Sequence, residues 1–153
     1  MSEWNLPPKP KIYEALTAVA EGRVRFSGAA RAQVVSSTGE KTYTVSWSDD
    51  MRRFSSDDNA SRWQGYLGYP IIAVLIVLGK LEYRPETARK LAGVPWKEIN
   101  TRFRRDYGKA VESVLEGIAA NGGDAEEIIR EVDSIYEQLS KLRLERLGHR
   151  KSP

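Results

Sequence analysis

The chain has no cysteine, one histidine, four asparagines and three glutamines among its 153 residues. Without cysteine there is no disulfide framework, no thiolate nucleophile and no zinc site built on sulfur. The single histidine, His149, stands among Arg146, Arg150 and Lys151, a setting that suits a solvated residue better than a catalytic base or a metal ligand. Few amides beside 29% charged residues is a balance found in proteins from hot environments.

Long apolar runs are also missing. The longest, Ile71 to Leu78, is less than half of what a bilayer span requires and reads as a core segment. The opening Met-Ser-Glu-Trp-Asn-Leu-Pro-Pro has neither the positive flank nor the apolar stretch of a secretory signal. The expectation is a protein that enters no membrane and stays in the cytoplasm.

The familiar catalytic templates fail as well. There is no glycine loop of the P-loop or dinucleotide type, no serine elbow and no His-Glu-x-x-His. Asp49-Asp50 and Asp57-Asp58 are carboxylate pairs of the kind that hold a hard metal, but both sit in turn positions where aspartate is favoured for backbone reasons. The reading is therefore of a non-enzymatic protein with no cofactor and no metal; a metal-dependent hydrolase using these pairs is the third choice of class.

What is present is unevenly placed. Residues 1–110 hold 18 Lys and Arg against 12 Asp and Glu, a net of +6, whereas residues 111–153 hold 6 against 9, a net of −3. Thirteen of the fourteen aromatic residues also precede that cut, leaving only Tyr136 after it. Cationic and stacking side chains travel together.

The pattern predicts an α+β fold: a four-stranded antiparallel sheet packed with helices, followed by a C-terminal coiled-coil helix. Two regions are expected, 1–120 as a basic, aromatic domain and 124–148 as a dimerisation helix. Ile12, Ala15, Leu16 and Val19 fall at helical spacing before Gly22. Four alternating runs follow at 23–27, 31–37, 41–47 and 51–55, separated by turn residues, as a meander requires. A glycine-punctuated loop from Arg62 to Pro70 leads into the buried helix at Ile71–Leu78. A shorter helix opens at Arg84-Pro85-Glu86, and a longer one runs from Pro95-Trp96 through Phe103 and Tyr107 to Ile118. Asp124 caps the last helix, with Glu126 and Glu127 in its first turn.

In that last helix Ile128, Val132, Ile135, Leu139 and Leu142 step by four and three residues, the spacing of a zipper seam. They predict a homodimer, with Gln138–Arg143 and Glu145–Arg150 placed for contact between parallel partners. The alternative is that the stripe packs back on its own chain.

Arginine on strands and rings in a following loop is the composition that single-stranded nucleic acid needs, since guanidinium groups answer phosphates and flat rings stack on unpaired bases. The candidates for phosphate are Arg23, Arg25, Arg52, Arg53 and Arg62; those for stacking are Phe54, Trp63, Tyr66 and Tyr69, while Phe26, Tyr43, Trp96 and Phe103 are expected in the core. Arg102, Arg104 and Arg105 form a second basic cluster that suits a solvated helix face or a phosphate. These groups are expected to converge on one groove.

Two resemblances bear on this. Leu6-Pro-Pro-Lys-Pro-Lys-Ile-Tyr13, the loop from Trp63 to Pro70 and the heptads from Ile128 to Leu142 give an arrangement that resembles the ThermoDBP family of single-stranded DNA-binding proteins from the Thermoproteales. That resemblance implies sequence-nonspecific binding of single-stranded DNA by a dimer in an archaeal cytoplasm, at the nucleoid, in replication or repair, with RNA left open. Ser36-Ser-Thr-Gly39 through Tyr43-Thr-Val45, Phe54-Ser-Ser-Asp57 and Tyr69-Pro-Ile-Ile-Ala-Val-Leu75 resemble a SWIM module, but Phe54 and Ser56 stand where its zinc ligands belong. The alternative function it implies is a zinc-less adaptor that docks another repair or replication protein.

Overall fold

The computed structural model describes residues 3–148. Helix α1 (Pro10–Ala20) opens the fold, and strands β1 (Val24–Gly28), β2 (Arg31–Val35), β3 (Thr42–Trp47) and β4 (Arg53–Ser56) follow. A π-helical turn (Ala60–Gln64) leads to α2 (Tyr69–Val77), α3 (Pro85–Arg89), α4 (Trp96–Arg102), α5 (Tyr107–Ala120), α6 (Ala125–Leu142) and β5 (Glu145–Arg146).

The strands form one sheet in the order β1-β2-β3-β4-β5. The first four are an antiparallel meander, and β5 joins β4 in parallel. Five strands therefore replace the expected four. The fifth is only two residues long and is held by the backbone, Glu145 N–H donating to Arg52 O at 2.9 Å and Leu147 N–H to Phe54 O at 2.9 Å. The N-terminal segment closes the same edge: Trp4 N–H donates to Leu144 O, and its Nε1–H to Phe54 O.

Alternation along the strands gives the sheet two unlike faces. Ala32, Val34, Val45, Trp47 and Phe54 point inward and are at most 5% exposed. They meet α2, whose residues from Pro70 to Ile76 are buried all round because the sheet covers one side and α1 the other. Pro70 suits the first turn of α2, where its missing N–H is no loss.

The segment expected as one helix from Trp96 to Ile118 is two. The chain breaks at Phe103–Asp106, where Arg104 and Arg105 both adopt left-handed backbone (φ 55° and 68°). Asp106 restarts the helix by accepting from Lys109 N–H at 3.2 Å. At the start of α6, Asp124 accepts from Glu127 N–H at 3.1 Å in the same way.

The zipper expectation is corrected. Ile128, Val132, Ile135 and Leu139 are at most 3% exposed within the single chain, and Leu142 packs half-buried against the same core. Helix α6 lies on α1, α3 and α5, fixed by Gln138, which accepts from Glu82 N–H at 2.7 Å and donates to Glu82 O at 3.0 Å. The apolar stripe is consumed by the fold, so none is left for a partner helix, and the basis for the coiled coil and the homodimer goes with it. The 124–148 segment shares one core with the rest. No described helix is long and apolar enough to cross a membrane. His149 lies outside the described residues.

Candidate nucleic-acid interface

The face of the sheet turned away from α2 is polar. Register places Arg25 beside Gln33 and Gln33 beside Thr44; Arg31 beside Ser46 and Ser46 beside Ser55; and Arg53 beside Glu145. Arg25, Arg31, Gln33 and Arg53 are exposed. Small side chains around the arginines leave their guanidinium groups accessible. Arg53 alone of the three arginines has a described carboxylate near it, Glu145 at 3.6 Å. No described strand residue on this face is aromatic, although Trp4 of the N-terminal segment lines a hollow with Thr44 and Ser55.

The rings gather elsewhere, in a cleft bounded by α1, the start of β3, the N-terminus of α2 and the α4–α5 break. Two connected hollows of about 320 and 720 Å³ share Lys11, Glu14, Tyr43, Tyr69, Arg105 and Tyr107 as walls. The smaller extends to Trp96, Asn100 and the β2–β3 turn; the larger extends to Tyr66 and Trp63. Arg105 reaches this wall from the left-handed break, a strained backbone of the kind that concentrates at binding sites.

The cleft floor is built by α1. Lys11 and Glu14 lie one turn apart, Nζ to Oε2 at 3.6 Å, with both side chains about nine-tenths buried. Asn100 Nδ2–H donates to Glu14 Oε2 at 3.1 Å, and Lys11 Nζ stands 4.1 Å from the centre of the Tyr107 ring. Burial pushes the Glu14 carboxyl above the usual carboxylate range, with Lys11 and Asn100 pulling it back. Tyr43 and Tyr69 meet edge to face with centroids 6.2 Å apart. Burial raises the hydroxyls of Tyr43, Tyr66 and Tyr69 above the ordinary tyrosine value, so all three stay neutral donors at neutral pH.

The nine expected binding residues fall in five places. Tyr66, Tyr69 and Trp63 line the cleft, Trp63 at 73% exposed on its outer rim. Arg23 also lines it but is pinned, donating to Val35 O at 2.7 Å and to Glu21 Oε1 at 2.8 Å. Arg25 and Arg53 lie on the open sheet face, and Arg52 in the turn before it. Arg62 is exposed beside Trp63. Phe54 is corrected outright: it is fully buried, stacked on Trp47 at 5.9 Å, because the inward parity of β4 claims it for the core. Convergence on one groove is thus partial.

Phe26, expected in the core, is instead half exposed on edge strand β1, touching Trp47 edge on. Tyr43 is half-buried in the cleft, and Phe103 is half-buried; Trp96 alone of the four is fully in the core. Arg105, from the second basic cluster, reaches the cleft, whereas Lys11, Glu14 and Tyr107 were not foreseen as site residues and Tyr43 was expected in the core. The available signal was Lys11 and Glu14 lying among Ile12, Ala15 and Leu16 on a helix too apolar for a solvated charged face.

Three of the four paired aspartates, Asp50, Asp57 and Asp58, hold turns. Asp50 accepts from Ser48 Oγ at 2.6 Å and Arg52 N–H at 3.1 Å; Asp57 accepts from Thr44 N–H at 2.9 Å. Asp58 is buried and accepts from Ser56 Oγ, Ser61 Oγ and Ser61 N–H, while Ser61 Oγ accepts from Gly68 N–H. This staple holds the turn that carries Trp63. A side chain at Gly68 would collide with the Asp58 carboxylate and lie 2.7 Å from Ser61 Oγ.

Among protein families, the model described as uncharacterised conserved protein UCP014422 matches residues 4–145. The chain belongs to this family. Both walls of the cleft, the open sheet face and the Asp58 staple lie inside the matched span. No curated protein and no solved structure matches the chain.

Proposed function

We propose that the chain binds single-stranded nucleic acid without strict sequence preference, taking bases against the rings of the cleft and phosphates on the cations around it. One observation carries the reading: Lys11 and Arg105 share a single continuous cleft with Tyr43, Tyr66, Tyr69, Tyr107 and Trp63. Stacking tolerates sequence because every base has a π face, and cations make the affinity fall with salt. Arg25, Arg31 and Arg53 on the open sheet face are a second positive surface, separate from the cleft.

Intrinsic tryptophan fluorescence, titrated with single-stranded and duplex oligonucleotides at two salt concentrations, tests it. The expected outcome is quenching by the single strand, weaker at high salt, with duplex binding far less. Equal binding of both forms, or of neither, overturns it.

A second reading, an adaptor that docks another protein, is favoured by the exposed Trp63 with Arg62 beside it, the residue types that dominate protein interfaces. Under that reading oligonucleotide leaves the fluorescence unchanged.

A further inference from the structure

The smaller hollow differs from a plain stacking surface because its floor carries hydrogen-bonding groups that the fold leaves unfinished. Glu14 directs Oε2 at Asn100 and Lys11, whereas its Oε1 takes no hydrogen bond among the described residues. No described side-chain polar atom is sealed from solvent without a partner, so this oxygen of a nine-tenths-buried side chain keeps contact with solvent on a residue that lines the cleft. Asn100 Oδ1 likewise accepts no hydrogen bond among the described residues. At 3.6 Å the Lys11–Oε2 contact is an ion pair too long for a hydrogen bond, which leaves ammonium protons free as well. The floor therefore presents a cationic donor next to carboxylate acceptors, with Tyr107 and the Tyr43–Tyr69 pair as walls.

At about 320 Å³ the hollow lies at the small end of ligand pockets, the size for one nucleotide unit rather than several. The bases differ in what they offer such a floor. Thymine and uracil present one N–H between two carbonyls. Adenine and cytosine present one amino group beside ring acceptors, which a carboxylate repels. Guanine alone sets a carbonyl, O6, beside two adjacent donors, N1–H and the N2 amino group.

Building on the strand-binding reading above, we infer that the closed end of the cleft is a subsite for a single unpaired guanine. Lys11 Nζ donates to O6, and Glu14 accepts from N1–H and N2–H. The ring stacks among Tyr43, Tyr69 and Tyr107. The carboxylate is costly to bury without partners, and the guanine donors supply them where water has been removed. The strand as a whole remains sequence-tolerant; one position in it does not.

The test uses the full chain and short oligothymidylates carrying one central dT, dC, dA, dG or deoxyinosine. The dG strand is expected to bind about tenfold more tightly than the dT strand, the gain of an added hydrogen bond to a charged group. Deoxyinosine keeps O6 and N1–H but lacks the N2 amino group, so it falls between them. Glu14→Gln, which puts an amide in place of the carboxylate, brings the dG:dT ratio close to one whatever it does to overall affinity. The base series on the unmodified protein decides the matter even if that variant folds poorly. Five strands binding within about twofold of each other, or inosine matching guanine, overturns the subsite while strand binding stands. No binding of any single strand overturns both.

Discussion

The Arg62 guanidinium stands 5.6 Å from the centre of the Trp63 ring, and that ring is the most exposed large apolar side chain described. Nothing in the fold needs Trp63 at the surface, whereas an unpaired base would cover one of its faces. Trp63→Ala is expected to weaken single-strand binding by about 1 to 3 kcal/mol, roughly fivefold to 150-fold. Its stability should stay within about 0.5 kcal/mol of the parent, because the ring touches little. Anisotropy titration and urea unfolding measure the two separately.

Phe54→Ala gives the opposite signature. The side chain is wholly buried against Trp47, so its removal should cost about 3 to 5 kcal/mol of folding free energy through reduced burial and a cavity. Urea unfolding reports that cost; affinity measured where the variant is still folded should be near the parent's.

The four meander strands were legible because side chains alternate between turn residues, and α2 because its short apolar run opens on Pro70 and is followed by Gly79. Strand β5 was not, since Glu145 and Arg146 join the sheet by backbone bonds that side-chain pattern does not record. The α4–α5 break was hidden because apolar spacing continues through Phe103 and Tyr107, and two left-handed arginines carry none of the usual glycine signal. For the site, Trp63, Tyr66 and Tyr69 could be read from their loop. Lys11 and Glu14 were overlooked, because a cation and a carboxylate one helical turn apart look like a solvated pair unless the apolar residues around them are weighed, and only the fold shows Asn100 and Tyr107 against them. The seam of α6 was read correctly as apolar and periodic, but periodicity does not say which surface covers it.

The open sheet face makes a separable contribution. Arg25 and Arg31 are exposed and lie on neighbouring strands. If they meet phosphates, replacing both with glutamine should lower the slope of log affinity against log salt by about 0.7 for each single-strand phosphate no longer neutralised. Stability should be unaffected, since neither arginine has a described carboxylate partner. An unchanged slope would place the strand wholly within the cleft.

Alkaline pH should loosen the core in a defined window. Burial, aided by the negative charge of Asp133, pushes the Tyr13 hydroxyl up to about 12. A group raised in this way gives stability that is complete below the unfolded value of 10 and is lost as pH climbs through about 12. Tyr69, raised by its own burial, acts in the same sense. Melting temperature followed from about pH 9 to about pH 12 should fall across this range, and Asp133→Asn should bring the Tyr13 ionisation, read by ultraviolet absorbance, to lower pH.

Ile135→Ala, with melting followed against protein concentration, tests whether α6 is a core helix or a subunit contact. Because Ile135 is fully buried within the chain, the substitution should cost about 2 to 5 kcal/mol. Melting temperatures of parent and variant should not move with protein concentration, as they would if the helix were a subunit contact. A strong concentration dependence would restore the zipper.

Helix α6 also bears on how the molecule is made. It covers α1, α3 and α5, and the two-residue strand beyond it seals the sheet edge beside Trp4. Everything from Ala125 onward leaves the ribosome after the surfaces it must cover, so the nascent polypeptide exposes the apolar flank of α1 until translation has passed Leu139. The core therefore closes only after Leu139 has been added, and a message truncated before that codon would release a chain with an open hydrophobic side.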